Sequence, residues 1–454
     1  MSWENSFAAG RAPRLPWTAV PRRRGRFTVP GCGHAQIGCS AVWSRLVSRF
    51  PVLAIRDFRL LLADRLLAPA AAAFSIVGVS FAVLDATGST ADLSYVLAAQ
   101  VAPALVFALA GGVVADRIAP QRVIIAANLM MAAGEGGFGL LVLTGHPVLW
   151  QMICLETLTG AGLAMFYPAS QALLQEASAM SRLAMNAALM SGAAVAGVFV
   201  AAAGPGWALA TCGFGMVGTV PLLLAIRAPG AAREQRASFG RELREGWSEF
   251  ASRTWLWVIV AQFAVVMAAW YGGFEVLGPV VAKRYLGGPA AWGAITAADA
   301  VGLIVGGLVS LRFAPRKPMR FVVLIGAACA ISPLSLGMRL PLPLVCAAAL
   351  GLGVAVEIMM VQWTVALARN IPAGRLARVS AYDVLGSMMA TPAGALAAGP
   401  LAAAFGIFPT EYGAAALILA ASALALLPRD VRSRPAEPVT GEAAPVTAAA
   451  PAGS

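Results

Sequence analysis

Charge is scarce in this sequence. Only 12% of its 454 residues are Asp, Glu, Lys or Arg, about half the share usual in a water-soluble domain. Lysine occurs twice, at Lys283 and Lys317, so nearly all of the 33 basic residues are arginine. Histidine also occurs twice, at His34 and His146, and none of the six cysteines (Cys32, Cys39, Cys154, Cys212, Cys329, Cys346) pairs at zinc-ligand spacing. That pattern argues against a metal site and against a disulfide framework. No Gly-x-x-x-x-Gly-Lys-Ser/Thr run is present, so the chain offers no backbone cradle for nucleotide phosphates. With no nucleophile–base constellation either, neither an enzyme nor a cofactor is expected.

What the chain has instead is apolar length. It is 59% hydrophobic with a mean hydropathy of +0.77, more apolar surface than a water-soluble fold of this size could hide. Spanning a bilayer takes about 20 apolar residues per helix. Twelve such segments are expected, near 60–83, 93–114, 123–143, 148–169, 185–203, 207–226, 255–282, 290–311, 319–338, 341–363, 380–404 and 411–428. The predicted fold class is therefore all-α integral membrane, with twelve transmembrane helices in two six-helix halves. Residues 1–56, with "PRRRGRF" and no long apolar run, read as a disordered basic extension. The first half covers 57–227 and the second 254–428, with a disordered Pro/Ala-rich tail at 429–454. Between the halves, 228–253, which contains "PGAAREQRASFGRELREGWSEFAS" (229–252), is the one long polar interior stretch. It predicts a linker with a short amphipathic helix on the membrane surface.

The net charge of +12 is distributed by topology. Of the 33 basic residues, 29 fall in the N-terminal region, alternate loops, the linker and the tail, and three (Lys283, Arg284, Arg339) fall in the opposite loops. The remaining one, Arg65, lies in the first span. By the positive-inside rule both termini are cytoplasmic. The excess charge then serves orientation and attraction to anionic lipid, and no nucleic-acid partner is expected.

An internal repeat supports the two halves. "GGVVADRIAPQR" (111–122) aligns without gaps on "GGLVSLRFAPRK" (306–317), sharing Gly-Gly, Val114/Val309, Arg117/Arg312, Ala119/Ala314 and Pro120/Pro315. A weaker echo pairs "RLAMNA" (182–187) with "RLARVS" (375–380) at nearly the same offset. Two echoes at one spacing argue for duplicated six-helix units around a central cleft.

The first of these segments resembles the cytoplasmic motif between helices 2 and 3 of the major facilitator superfamily: a glycine, three residues, Asp-Arg, then basic residues. Gly112, Asp116, Arg117 and Arg122 match it, and Ala119 stands where the family usually has glycine. The phrases "FRLLLADRLL" (58–67), "FAVLDATGS" (81–89), "FYPASQALL" (166–174), "GPGWALA" (204–210) and "VSAYDVLGS" (379–387) make the chain most similar to the bacterial drug–proton antiporters that include enterobactin and macrolide exporters. The resemblance implies alternating access, with Asp116 and its arginines, Arg312 of the second copy among them, forming a cytoplasmic gate that breaks and re-forms. In the second copy Leu311 replaces the acid. Two departures matter. The helix-1 stretch 68–73 reads "APAAAA" where related exporters often have an acid, and helix 5 reads "GAAVAG" (192–197), with Ala193 in place of a proline associated with export. The prolines Pro392 and Pro400 are expected to supply bending in helix 11.

Carboxyls at membrane depth are the candidate functional groups, because an ionised carboxylate at a helix centre costs roughly 2.5–3.5 kcal/mol on insertion scales. The candidates are Glu135, Glu156, Glu275, Asp299 and Glu357. Each is expected to face the cleft, pair with a base or hold a proton. Glu275 follows Gly272-Gly273 and precedes Pro279, which is expected to break helix 7. Glu156 falls near where many superfamily antiporters place an arginine, so that role does not transfer. Asp64 and Arg65 are expected at the membrane interface. Trp150, Trp207, Trp255, Trp257 and Trp292 are expected to form an aromatic belt, whereas Trp270, Tyr271 and Trp363 lie deeper and are candidate lining for an apolar pocket.

The function expected is proton-coupled efflux of small amphipathic molecules, with protons, the substrate and anionic lipid as partners. The setting is a bacterial inner (cell) membrane, and the transporter is expected to act as a monomer. Import or facilitated passage of a metabolite is the alternative within transport. A transport-inactive sensor or scaffold of the same fold is the alternative outside it.

Overall fold

The structure is a computed structural model, and it describes residues 56–115, 120–145, 147–173, 178–226, 247–313 and 315–433. The first half contains α1 (Arg56–Thr87), α2 (Thr90–Ala115), α3 (Pro120–Leu143), α4 (Leu149–Leu173), α5 (Ser178–Ala203) and α6 (Pro205–Leu224). The second contains α7 (Thr254–Leu286), α8 (Pro289–Ser310), α9 (Pro318–Gly337), α10 (Leu342–Asn370) and α12 (Ile407–Ala425). Its α11 is split into Ala373–Met388 and Thr391–Phe405. A short α13 (Arg429–Ser433) closes the described chain. Ten of the described helices are long and apolar enough to cross a membrane, and α5 contributes a shorter apolar stretch, Gly192–Ala203. With so little water-competent backbone at that depth, every peptide group must be bonded within its own helix, and among the described residues no strand occurs.

Prolines shape the second half. Pro279 has no N–H for the Glu275 carbonyl. The expected break does not occur; the helix winds wider instead, as π-helix over Tyr271–Leu277. In α9 the turn ahead of Pro333 tightens to a 3₁₀ segment, Ala327–Ala330. In α11 the helix stops at Met388 and restarts at Thr391, with Pro392 in its first turn, where a missing N–H costs nothing.

Small residues let the helices approach closely, the usual device where lipid supplies no driving force for association. The stretch "APAAAA" now has a role: a methyl group on Gly192 of α5 would lie 2.9 Å from the Ala70 carbonyl, and one on Gly215 of α6 would lie 2.6 Å from the Ala71 methyl. Between the halves, α5 packs on α8 and α2 packs on α11. The first contact is made at Gly197 and Gly293, where a methyl on either would lie 2.6–2.7 Å from the other's Cα. The second is made at Gly399, against Ala91 and Ser94.

Burial corrects several expectations. Asp64 and Arg65 are 1% and 4% exposed, inside the helix bundle, and the Arg65 guanidinium stands 5.5 Å over the Phe166 ring. An aromatic face and a long aliphatic stem make that position tolerable for arginine. Of the expected aromatic belt, Trp150, Trp207 and Trp257 are exposed, but Trp255 and Trp292 are fully buried. Trp255 meets Trp363 edge-on at 6.0 Å, and Trp292 packs on Phe274 at 5.0 Å. Helix 12 begins at Ile407, a turn earlier than its hydropathy indicates.

Of the linker, the described part is 247–253. It does not lie free. Trp247 and Phe250 pack at a tilt on Tyr382 of α11, at 5.5 and 6.0 Å. Glu249 accepts hydrogen bonds from Arg253 (Nη2, 2.5 Å) and Arg375 (Nη1, 2.5 Å), and Arg253 donates to the Asn370 carbonyl. The two guanidinium hydrogen bonds hold the Glu249 carboxyl below the ordinary glutamate range. A depressed carboxyl stabilises the dock above its ordinary value and loses that contribution as pH falls through the folded value. Hydrogen exchange over 247–253 is therefore expected to rise only below the usual glutamate range, and Glu249→Gln to show the faster exchange already at neutral pH.

Candidate functional site

In the first half two buried carboxyls, Glu135 and Glu156, share one centre. Glu135 of α3 accepts a hydrogen bond from Ser75 Oγ of α1 at 2.6 Å, and Glu156 of α4 accepts one from Gln100 Nε2 of α2 at 2.8 Å. Each keeps one oxygen with no donor. The two carboxyls lie within electrostatic reach of one another, with Cys212 of α6 beside both. Five helices thus converge on one polar centre inside an apolar bundle.

Glycines make the convergence possible. A methyl on Gly160 of α4 would lie 1.9 Å from the Gln100 carbonyl oxygen, and one on Gly134 of α3 would lie 2.2 Å from Thr159 Oγ1. Gly160 therefore brings α2 and α4 into backbone contact, close enough for Gln100 to reach Glu156. Gly160→Ala is expected to lower stability by at least about 1–3 kcal/mol, the cost of forced overpacking, read as a lower melting temperature of the purified protein.

In the second half, Glu275 on the π-helical turn and Asp299 on α8 are half-buried and feel one another's charge. Tyr271, one turn before Glu275, lies within electrostatic reach of both Glu275 and Glu156. It stands within reach of one carboxyl from each half. Trp270 stacks on Phe274 at 5.7 Å beside it.

The other sequence candidates that the structure describes lie elsewhere. Glu357 of α10 is half-buried at the α8 seam, where a methyl on Gly306 would lie 3.0 Å from its Cβ. That is about two turns along α8 from Asp299. Trp363 is buried between Trp255 and Phe263 and donates through Nε1 to Asp383 Oδ2 at 2.8 Å. Of the gating motif, Asp116 and Arg117 lie outside the described residues, and of Gly112 only the helical backbone is described. Arg122 and Arg312 are exposed. Gln121, between these motif residues, donates to the Leu223 and Ile226 carbonyls and so ties the start of α3 to the end of α6.

Two groups escaped the sequence reading. Asp383 sits in a phrase used only for its resemblance. Glu411 stood at the assumed start of helix 12, where acids are ordinary, but it is 0% exposed. Its only signal was an acid five residues past Gly406, in a run where the helix could have begun earlier.

The halves meet at one end. The apolar cluster that joins them holds residues of both, Phe81 and Val96 with Val280 and Ala398 among them, at the end opposite the termini of the described chain, Arg56 and Ser433. There Lys283 Nζ donates to Asp85 Oδ1 at 2.6 Å across the seam. At the other end, the clusters around Ile124 and around Trp255 each belong to a single half. Among the described residues, the buried apolar packing between the halves is thus concentrated at the end away from the termini.

This architecture is found in solved transporters. The nucleoside transporter NupG superposes with a TM-score of 0.66 at 10% identity, covering 81% of this chain and 97% of that one. An auto-inhibited POT family peptide transporter gives 0.65 at 13% identity, covering 86% and 99%. A bacterial homologue of the human lysosomal transporter Spinster, solved inward-facing and unoccupied, gives 0.61 at 15%, covering 83% and 97%. At such identities the likeness shows the fold alone. No curated protein matches the sequence. Two six-helix halves with charged groups between and within them make this a membrane transporter with the major facilitator fold. The chain belongs to the transmembrane secretion effector family of that fold, whose model matches residues 47–442.

Proposed function

We propose that the protein exports small amphipathic molecules in exchange for protons, by alternating access. The observation that carries this reading is the pair of carboxyl groups in each half, Glu135/Glu156 and Glu275/Asp299, with Tyr271 within reach of one from each pair. A carboxyl in an apolar bundle is costly as a bare anion. It is tolerable as an acid, or facing a cation or water. Exchange follows when proton and substrate make competing use of that centre and the halves rock around it. The aromatic Trp270 and Tyr271 beside these acids suit an apolar or cationic substrate. The family description, a secretion effector, agrees with outward transport. On this reading the end away from the termini is extracellular, and the packed seam there describes the state closed to the outside.

The test uses purified protein in liposomes with an imposed pH gradient, ethidium as the export probe and a nucleoside as the import probe. Ethidium flux that follows the gradient and is slowed by Glu275→Gln supports the proposal. Nucleoside flux indifferent to the gradient would establish a facilitator instead, and ligand binding without flux of either probe a sensor. Slower ethidium turnover in Asp116→Asn, with the fold retained, is expected if the motif at 111–122 is a gate.

A further inference from the structure

Glu411 is a buried acid for which the centre described above has no use. It lies one turn into α12, and neither carboxylate oxygen has a hydrogen-bond partner. The hydroxyl next to it in sequence is committed elsewhere, since Thr410 Oγ1 donates to the Gly406 carbonyl at 2.8 Å. Two glycine notches make room for the side chain. A methyl on Gly273 of α7 would lie 3.0 Å from Glu411 Oε2, and one on Gly337 of α9 would lie 3.3 Å from its Cβ. The carboxyl is therefore inserted between three helices, against the π-helical turn of α7.

Among the described residues, no group donates to the Glu411 carboxyl or pairs its charge. Burial is the dominant influence on Glu411, and no charged neighbour acts on it. Over Ile331–Gly337, α9 carries Ser332 and Ser335 but no ionisable group, and Ser335 Oγ donates to the Ser332 carbonyl. The Thr391–Phe405 segment of α11 carries no ionisable group. The Tyr271–Leu277 turn of α7 carries Tyr271 and Glu275. Gly273 and Glu275 are two residues apart, so they lie on different sides of that turn. One side meets Glu411 and the other carries Glu275 towards Asp299. A wide turn of this kind is often found at functional sites, and here it joins two carboxyls that do not touch.

We propose that Glu411 is a further proton-binding carboxyl of this transporter, outside that centre and linked to Glu275 through the π-helical turn of α7. In the packed arrangement it is a neutral acid against Gly273. When α7 and α12 part enough to admit water, its O–H bond breaks, the proton leaves to that water and the carboxylate becomes solvated. Re-packing requires the proton back, so the fit of α7 on α12 depends on it. The proposal rests on the proton-coupled reading above but is tested without any substrate.

The experiment is infrared difference spectroscopy of the protein reconstituted in lipid, between acidic and alkaline buffer, following the protonated-carboxyl C=O band. Wild type is expected to lose several components on going alkaline, and Glu411→Gln to lack one of them that Glu275→Gln retains. Gly273→Ala, which puts a methyl against Oε2, is expected to shift that same component. Identical difference spectra for wild type and Glu411→Gln overturn the proposal. If Glu411→Gln does not fold, an unmoved band in folded Gly273→Ala overturns it instead. A titrating Glu411 in a protein whose ethidium flux ignores the pH gradient upholds the site while the efflux reading falls.

Discussion

Replacing Glu156 with glutamine is expected to cut gradient-driven flux at least about tenfold, equivalent to about 1.4 kcal/mol of lost coupling, while the melting temperature stays near wild type. Glutamine matches the shape and still presents an amide oxygen to Gln100 Nε2, which now donates to Glu156 Oε2 at 2.8 Å. The fold therefore keeps its contact, and only the exchangeable proton goes. Glu156 should matter more than its neighbours because its charge reaches both ways: to Glu135 within its own half and to Tyr271 in the other. Loss at Glu275 should be milder, since that group is half-buried and water can stand in for it. The measurement is ethidium efflux from liposomes with and without the gradient. Gradient-driven flux in Glu156→Gln equal to wild type would remove this residue from the coupling centre.

Much of the architecture was legible in the sequence because a bilayer imposes a simple rule: about 20 apolar residues per crossing. All twelve segments expected from hydropathy correspond to helices. Helix ends were less legible. Beyond the hydrocarbon a helix can continue on polar residues, as α10 does to Asn370, or begin early on a short loop, as α12 does after Gly406. That second shift hid Glu411. Tryptophan gave a mixed result for the same reason, since a ring near a helix end can turn to lipid, as Trp257 does, or inward, as Trp255 does two residues earlier. Hydropathy counts both alike. The acids of the centre were visible as acids, but their grouping was not. Glu135 and Glu156 are brought together by Gly134 and Gly160, whose neighbours across the helix interface cannot be read from a single chain of letters.

The contrast between two glycines separates stability from conformational balance. Gly160 packs α4 on α2 inside one half. A methyl there clashes in every arrangement of the halves, so the cost falls on folding. Gly293 packs α8 on α5 across the seam, 2.6 Å from Gly197 Cα for an added methyl and 2.9 Å from the Ala193 carbonyl. A methyl there clashes only while the seam is shut. Rocking the halves apart at that end relieves it, so the overpacking cost of about 1–3 kcal/mol falls on the equilibrium between states, about a five- to 150-fold shift. Gly293→Ala is thus expected to melt closer to wild type than Gly160→Ala, yet to favour the state open at the end away from the termini. Ser94→Cys, in a background without other cysteines, reports this at the second seam, because Ser94 is buried against Gly399. Its labelling by a membrane-impermeant maleimide added from that side should rise in Gly293→Ala, and substrate turnover should fall as return to the shut state becomes uphill. Labelling unchanged by Gly293→Ala, in protein that still folds, would mean that the α5–α8 contact does not open during the cycle.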